Sequence, residues 1–128
     1  MAAECKTEVK NREANAVELK ILSSTMAVAS QINPENVAEI AAAGYKTIIC
    51  NRPDGEVEGQ TPFREIEAAA TVHNLATRYM PVVSGKISDD DVRHFSDVSN
   101  ELPQPQLAYC RTGTRSAILW ALAEAKKR

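Results

Sequence analysis

This chain has little excess charge of either sign. Fifteen Lys and Arg stand against 17 Asp and Glu, a net charge of −2. That balance gives no reason to expect nucleic acid or an anionic membrane as a partner, so any basic site must be local. No apolar run approaches membrane-spanning length, and the opening MAAECKTEVK lacks the apolar stretch of a signal peptide. The expected location is cytoplasmic. Cysteine is sparse too. Cys5, Cys50 and Cys110 are too few and too scattered for a disulfide scaffold. They also lack metal-ligand spacing, and neither His73 nor His94 lies beside one. No metal and no cofactor is expected. Aromatics make up only 5% of the chain, and no repeat or low-complexity segment interrupts it.

What is present is an ordinary globular composition, 44% hydrophobic and 25% charged over 128 residues, enough for one modest core. Residues 1–15 are polar and aperiodic and read as a flexible tail; residues 16–128 read as a single domain. Glu18 to Ser30 alternates loosely, as short strands turning near Ser23 and Ser24. Asn33 and Pro34 begin a helix with Val37, Ile40 and Ala41 inward, ended at Gly44. YKTIIC is a strand, followed by the turn-rich NRPDGE. Thr61 and Pro62 open a second helix with Phe63, Ile66, Ala70 and Val72 facing the core. ATRYMPVV is the next strand. Ser88 and Asp91 approximate a capping box for a helix lined by Val92, Phe95 and Val98, broken by Pro103 and Pro105. QLAYC is the last strand. SAILWALAEAKKR is the last helix; Leu119, Trp120 and Leu122 on it are core candidates, and so is Met80. Strands alternating with helices imply an α/β three-layer sandwich around a central, largely parallel sheet. Ligands of such sheets bind beyond the carboxyl ends of strands, where Cys110 and NRPDGE both fall.

The segment YCRTGTRS sits between a strand and a helix. The first amides of a helix lack internal partners and carry the positive end of its dipole. A loop curling into that terminus makes an anion cradle. Gly113 permits a left-handed turn, and Arg115 can grip an oxyanion with a bidentate fork. Thr112, Thr114 and Ser116 offer hydroxyls to hold the loop, and Arg111 lies on its outer side. At the floor of the cradle Cys110 is expected to favour its thiolate. The arrangement suits a thiolate nucleophile attacking a small anionic substrate.

AYCRTGTRS, together with KTIICNRPDGE and the order of helices and strands, resembles the phosphatase-like domain of β-lactamase-hydrolase-like proteins. This is the DUF442 group, also labelled sulfur transferases. The resemblance runs from about Leu19 to the C-terminus. It implies a fold similar to dual-specificity and tyrosine phosphatases, and kinship with persulfide oxidation, with a persulfide dioxygenase as an implied partner. Against the phosphatase signature H-C-x5-R the chain departs in three ways. Four residues, not five, separate Cys110 from Arg115, as in rhodanese-like sulfurtransferases. Tyr109 replaces histidine. The general acid expected after a strand-end proline is missing, because Pro81 is followed by Val82, Val83 and Ser84.

A proton donor typically speeds phosphate-ester cleavage by about 10²–10⁴, whereas sulfite leaves thiosulfate without one. The leading expectation is therefore a sulfurtransferase moving sulfane sulfur through a Cys110 persulfide to a thiol acceptor. A phosphomonoesterase working through a Cys110 phosphoenzyme is the alternative. A non-catalytic anion- or redox-sensing module is the third. Asp89, Asp90 and Asp91 are candidates for a substitute acid, but read better as helix-start carboxylates. Asn51, Arg52, Asp54 and Glu56 form a candidate substrate rim, whose charges can also pin this loop to Arg111 or Arg115. Some lipid phosphatases of this fold pair the nucleophile with a cysteine at the end of an earlier strand. By that resemblance Cys50 is a candidate redox partner of Cys110.

Overall fold

The computed structural model describes residues 17–127. The tail expected over residues 1–15, with Cys5, lies outside the described residues. Among the described residues, five strands form one sheet in the order β1-β2-β5-β3-β4. β1 (Leu19–Ile21) and β2 (Met26–Ala29) make the expected antiparallel hairpin. β2, β5 (Gln106–Tyr109), β3 (Thr47–Cys50) and β4 (Ala76–Tyr79) run parallel to one another. The three inner strands are wholly buried, which is why they read as continuous apolar runs rather than alternating ones.

Helices cover both faces. On one lie α1 (Val37–Ala42) and α2 (Phe63–Val72), packed through Val37, Ile40, Ile66 and Ala70 against Ile48, Leu107 and Tyr109. On the other lie α3 (Asp89–Glu101) and α4 (Thr114–Lys126), packed through Val92, Phe95, Val98 and Leu119 against Val28, Ile49 and Ala108. Three layers result. Buried Gln106 ties β5 to the end of α3: its amide donates to the Ser99 and Leu102 carbonyls at 2.9 and 3.0 Å and accepts from the Ser99 hydroxyl at 2.9 Å. All its polar atoms are thereby satisfied.

Several sequence expectations need correction. The helix expected from Asn33 begins as a 3-10 turn, Pro34–Asn36, before α1. β4 stops at Tyr79, so MPVV is loop. Val72 is 75% exposed, because it falls on the outer side of the last turn of α2. Leu122 is 43% exposed, because the inward stripe of α4 runs through Arg115, Leu119 and Ala123, spaced four apart. Trp120 is only half-buried. Met80 and Leu119 do join the core. The Ser88–Asp91 capping box forms in both directions, at 2.9 and 3.1 Å. No helix among the described residues is long and apolar enough to cross a membrane.

Candidate active site

The parallel strands deliver their carboxyl ends to one edge of the sheet, and the site is built there. β5 ends at Tyr109, and Cys110 follows, fully buried, its amide donating to the Ala29 carbonyl at 3.3 Å. The chain then curls through Arg111 and Thr112 into Gly113, the N-cap of α4, at φ +89°. Glycine fits for two reasons: the left-handed backbone disfavours a side chain, and a Cβ would sit 3.4 Å from the Ala29 backbone. The curl points the Gly113 amide at the Cys110 sulfur, Sγ accepting at 3.0 Å. The Thr112 and Thr114 hydroxyls meet at 3.0 Å and clasp the outer turn.

Behind the loop, Asn51 and Ser116 are both completely buried. The Ser116 hydroxyl donates to Asn51 Oδ1 at 2.8 Å, while Asn51 Nδ2 donates to the Met80 carbonyl at 3.0 Å. Asn51 is therefore a bracket joining β3, β4 and α4, away from the rim. Asp54 also turns away from the cradle: its carboxylate accepts from the Phe63 amide at 2.8 Å, capping α2. Its own amide donates to the Tyr79 hydroxyl at 2.9 Å, and Tyr79 stacks on Phe63.

Arg52 and Arg115 converge on Glu56. Arg115 Nη1 donates to Oε2 at 2.7 Å and Nη2 to Oε1 at 2.9 Å, a bidentate fork. Arg52 Nε adds a bond to Oε1 at 2.9 Å, and its Nη1 donates to Gln31 Oε1 at 2.9 Å. Both arginines are buried. Chiefly the Arg115 hydrogen bond, with help from Arg52, pulls the Glu56 carboxyl from its ordinary 4.5 down to about 2. Glu56 raises Arg115 in return, and the neighbouring Cys110 acts in the same direction. Arg115 Nη1 also donates to the Val82 carbonyl at 2.9 Å.

In front of the loop opens a cavity of about 550 Å³, lined by Glu56 and Arg115, by Arg111, Thr112 and Thr114, and by Ser84, Gly85, Ile87 and Ile118. The three aspartates of α3 are engaged elsewhere: Asp91 in the capping box, Asp90 with Arg93, and Asp89 with Lys126 at 3.7 Å. Cys50 lies in register with Tyr109, not Cys110, and packs with Tyr109 in the core. Its thiol donates to the Arg52 carbonyl at 3.3 Å, and burial pushes its pKa up. Both cysteines are free thiols. Tyr109 points into the core beside Cys50, its hydroxyl fully buried without a well-formed hydrogen bond and its pKa pushed far up by burial. No cluster of three metal-ligating side chains occurs among the described residues. Sequence reasoning missed Gln31 and the carbonyl of Val82, and no local signal marks either.

Comparison with known proteins agrees with this geometry. The profile of the phosphatase-like domain of beta-lactamase hydrolase-like protein matches residues 18–127. A beta-lactamase hydrolase-like protein of Xylella fastidiosa is 32% identical over 103 residues, 80% of this chain and 24% of that protein. The chain thus spans about a quarter of the length of such relatives. Among solved structures, a candidate phosphatase of Neisseria meningitidis is similar at 35% identity and a TM-score of 0.79, covering 84% of this chain and 77% of that one. A DUF442 candidate phosphatase of Shewanella putrefaciens shares the fold at 16% identity and a TM-score of 0.78, over 91% and 73% of the two chains. The chain belongs to the family of the beta-lactamase hydrolase-like phosphatase-like domain, and is a cysteine-based, phosphatase-like protein.

Proposed function

We propose that this member of the family is a hydrolase of the protein-tyrosine-phosphatase kind, acting on a small phosphorylated anion through a phosphocysteine at Cys110. The observation that carries the reading is the buried Cys110 sulfur held at 3.0 Å by the amide of Gly113, the N-cap of α4, with Arg115 alongside. In the first step the thiolate attacks phosphorus, an S–P bond forms and the P–O bond to the leaving group breaks. In the second, water attacks the phosphocysteine, releasing phosphate and the thiolate. Helix amides and the guanidinium hold the charge that builds on the phosphoryl oxygens. Family and fold relatives lend this reading more support than sulfur transfer, which the sequence alone put first.

Among the described residues the site has no carboxylic acid able to protonate a leaving group. Glu56 is the one carboxylate lining the cavity, and two arginines keep it ionised. That feature, with only four residues between Cys110 and Arg115, favours the second reading: a Cys110 persulfide passing sulfane sulfur to a thiol acceptor, for which no acid is needed. A persulfide dioxygenase partner belongs to that second reading. The test is turnover of an aryl phosphate, whose leaving group is already acidic, by wild type and Cys110→Ser. Turnover lost in the variant supports the hydrolase. Equal turnover in both, or none in wild type, contradicts it.

A further inference from the structure

We propose that Glu56 sets the charge of the substrate, tuning the Cys110 cradle to a phosphoryl group carrying one negative charge rather than two. The inference rests on the proposed phosphoryl-transfer reading and names its substrate form. Glu56 holds the fork of Arg115 that an incoming oxyanion would otherwise take. It is not carried on a loose flap. Its loop is braced by Gln60, which accepts from the Glu56 and Val57 amides at 3.0 and 3.3 Å and donates to the Pro53 carbonyl at 2.9 Å. Asp54 fixes the same loop to α2 and to Tyr79. The carboxylate is therefore a standing part of the site.

The charged groups facing Glu56 are Arg52 from its own loop and Arg115 from α4; Cys110 lies beside Arg115, and Arg111 of the loop after β5 lines the same cavity. Arg111 is exposed at the outer mouth and screened by solvent. The inner part of the site thus holds two buried guanidiniums and the partly exposed Glu56 carboxylate, a residual charge of about one in Cys110→Ser protein and about zero once Cys110 is a thiolate, to which the helix terminus adds a fraction. A dianion placed there meets Glu56 at close range in a partly desolvated setting, where repulsion is strong. A monoanion meets that repulsion with half the charge and still finds the amides of the helix terminus.

This charge setting fits the missing acid. A phosphomonoester monoanion retains one proton on its phosphoryl group. As the S–P bond forms and the P–O bond breaks, that proton can pass to the departing oxygen, so the leaving group departs as a neutral alcohol. The substrate then supplies the proton that most enzymes of this chemistry take from a side chain, with no further co-reactant.

Inorganic phosphate is the probe, titrated calorimetrically into Cys110→Ser protein so that the thiol's own ionisation does not enter. Measurements at pH values spanning phosphate's second ionisation compare Glu56 with Glu56→Gln. With Glu56 present, affinity should fall about tenfold or more as the dianion forms, and Glu56→Gln should level or invert that trend. Arg52→Met, which removes a positive charge, should steepen it, and keeps the test open if Glu56→Gln does not fold. Affinity that rises with the dianion in the Glu56 protein, or one profile shared by all variants, overturns the charge setting and leaves the cradle standing. Absence of phosphate binding in every variant would sink the cradle and this inference together.

Discussion

Arg115 and Glu56, 59 residues apart in sequence, form a two-bond fork at 2.7 and 2.9 Å directly beside the buried Cys110. A third bond from Arg115 to the Val82 carbonyl fixes the plane of the guanidinium. The geometry is what a planar fork can do and a point charge cannot. Arg115→Lys should therefore lower kcat/KM for an aryl phosphate by about tenfold or more, while Arg111→Lys, at the exposed mouth, should change it by less than about threefold. Steady-state kinetics on the two variants check this. Equal losses would mean that the buried position confers nothing.

The same pair makes an acid-stability prediction. The Glu56 carboxyl sits at about 2 in the folded protein against an ordinary 4.5. A lowered folded-state value means stability that is fully present above pH 4.5 and lost as pH falls through 2. The melting-temperature gap between wild type and Glu56→Gln should be constant from neutral pH down to about pH 5, then shrink toward pH 2. A gap independent of pH over that window would show that the ion pair adds no net stability.

Gly113 tests the loop. Its φ of +89° and the 3.4 Å approach to Ala29 make alanine costly there. Gly113→Ala should destabilise by about 1–3 kcal/mol, and should also slow alkylation of Cys110 by iodoacetamide, because the amide donated to Sγ moves. Thermal melts and alkylation rates report the two effects separately. Unchanged rates with lowered stability would mean that the amide does not tune the thiol.

Cys50 aligns with Tyr109 and packs on its face of the sheet, whereas successive strand residues point to opposite faces. Its raised pKa also keeps it a thiol, a poor attacker. Treatment with peroxide should give little Cys50–Cys110 disulfide, and Cys50→Ser should over-oxidise at Cys110 no faster than wild type. Non-reducing peptide mapping decides. A dominant Cys50–Cys110 peptide would mean that the β3 end moves readily.

The local features of this site were legible in the sequence because they obey local rules. Gly113 before an apolar periodic run marks a helix start, and a cysteine at a strand end before it marks the cradle. The hairpin, the parallel strands and the Ser88–Asp91 box follow from patterns a few residues long. What could not be read is long-range. Nothing near Glu56 decides between Arg111, Arg115 and solvent as its partner, or says that Asn51, in the same turn, is buried as a bracket on Ser116. Both depend on the register of β3 beside β5. Hydrophobicity assigns Val72 and Leu122 to the core, but the helix axes, set by packing of the whole layer, rotate them outward. Ile118 and Leu122, four apart on α4, are both partly exposed, and Ile118 serves as a wall of the cavity.

The central claim is that Cys110 becomes phosphorylated. Its most direct test is intact mass spectrometry of wild-type protein quenched in acid during turnover of an aryl phosphate, with thiosulfate as a parallel arm and Cys110→Ser as control. The account predicts an adduct with the mass of one phosphoryl group, located on Cys110 and absent from the variant. A stable adduct of one sulfur atom in the thiosulfate arm, with no phosphoryl adduct in the other, would contradict it and establish sulfur transfer in its place.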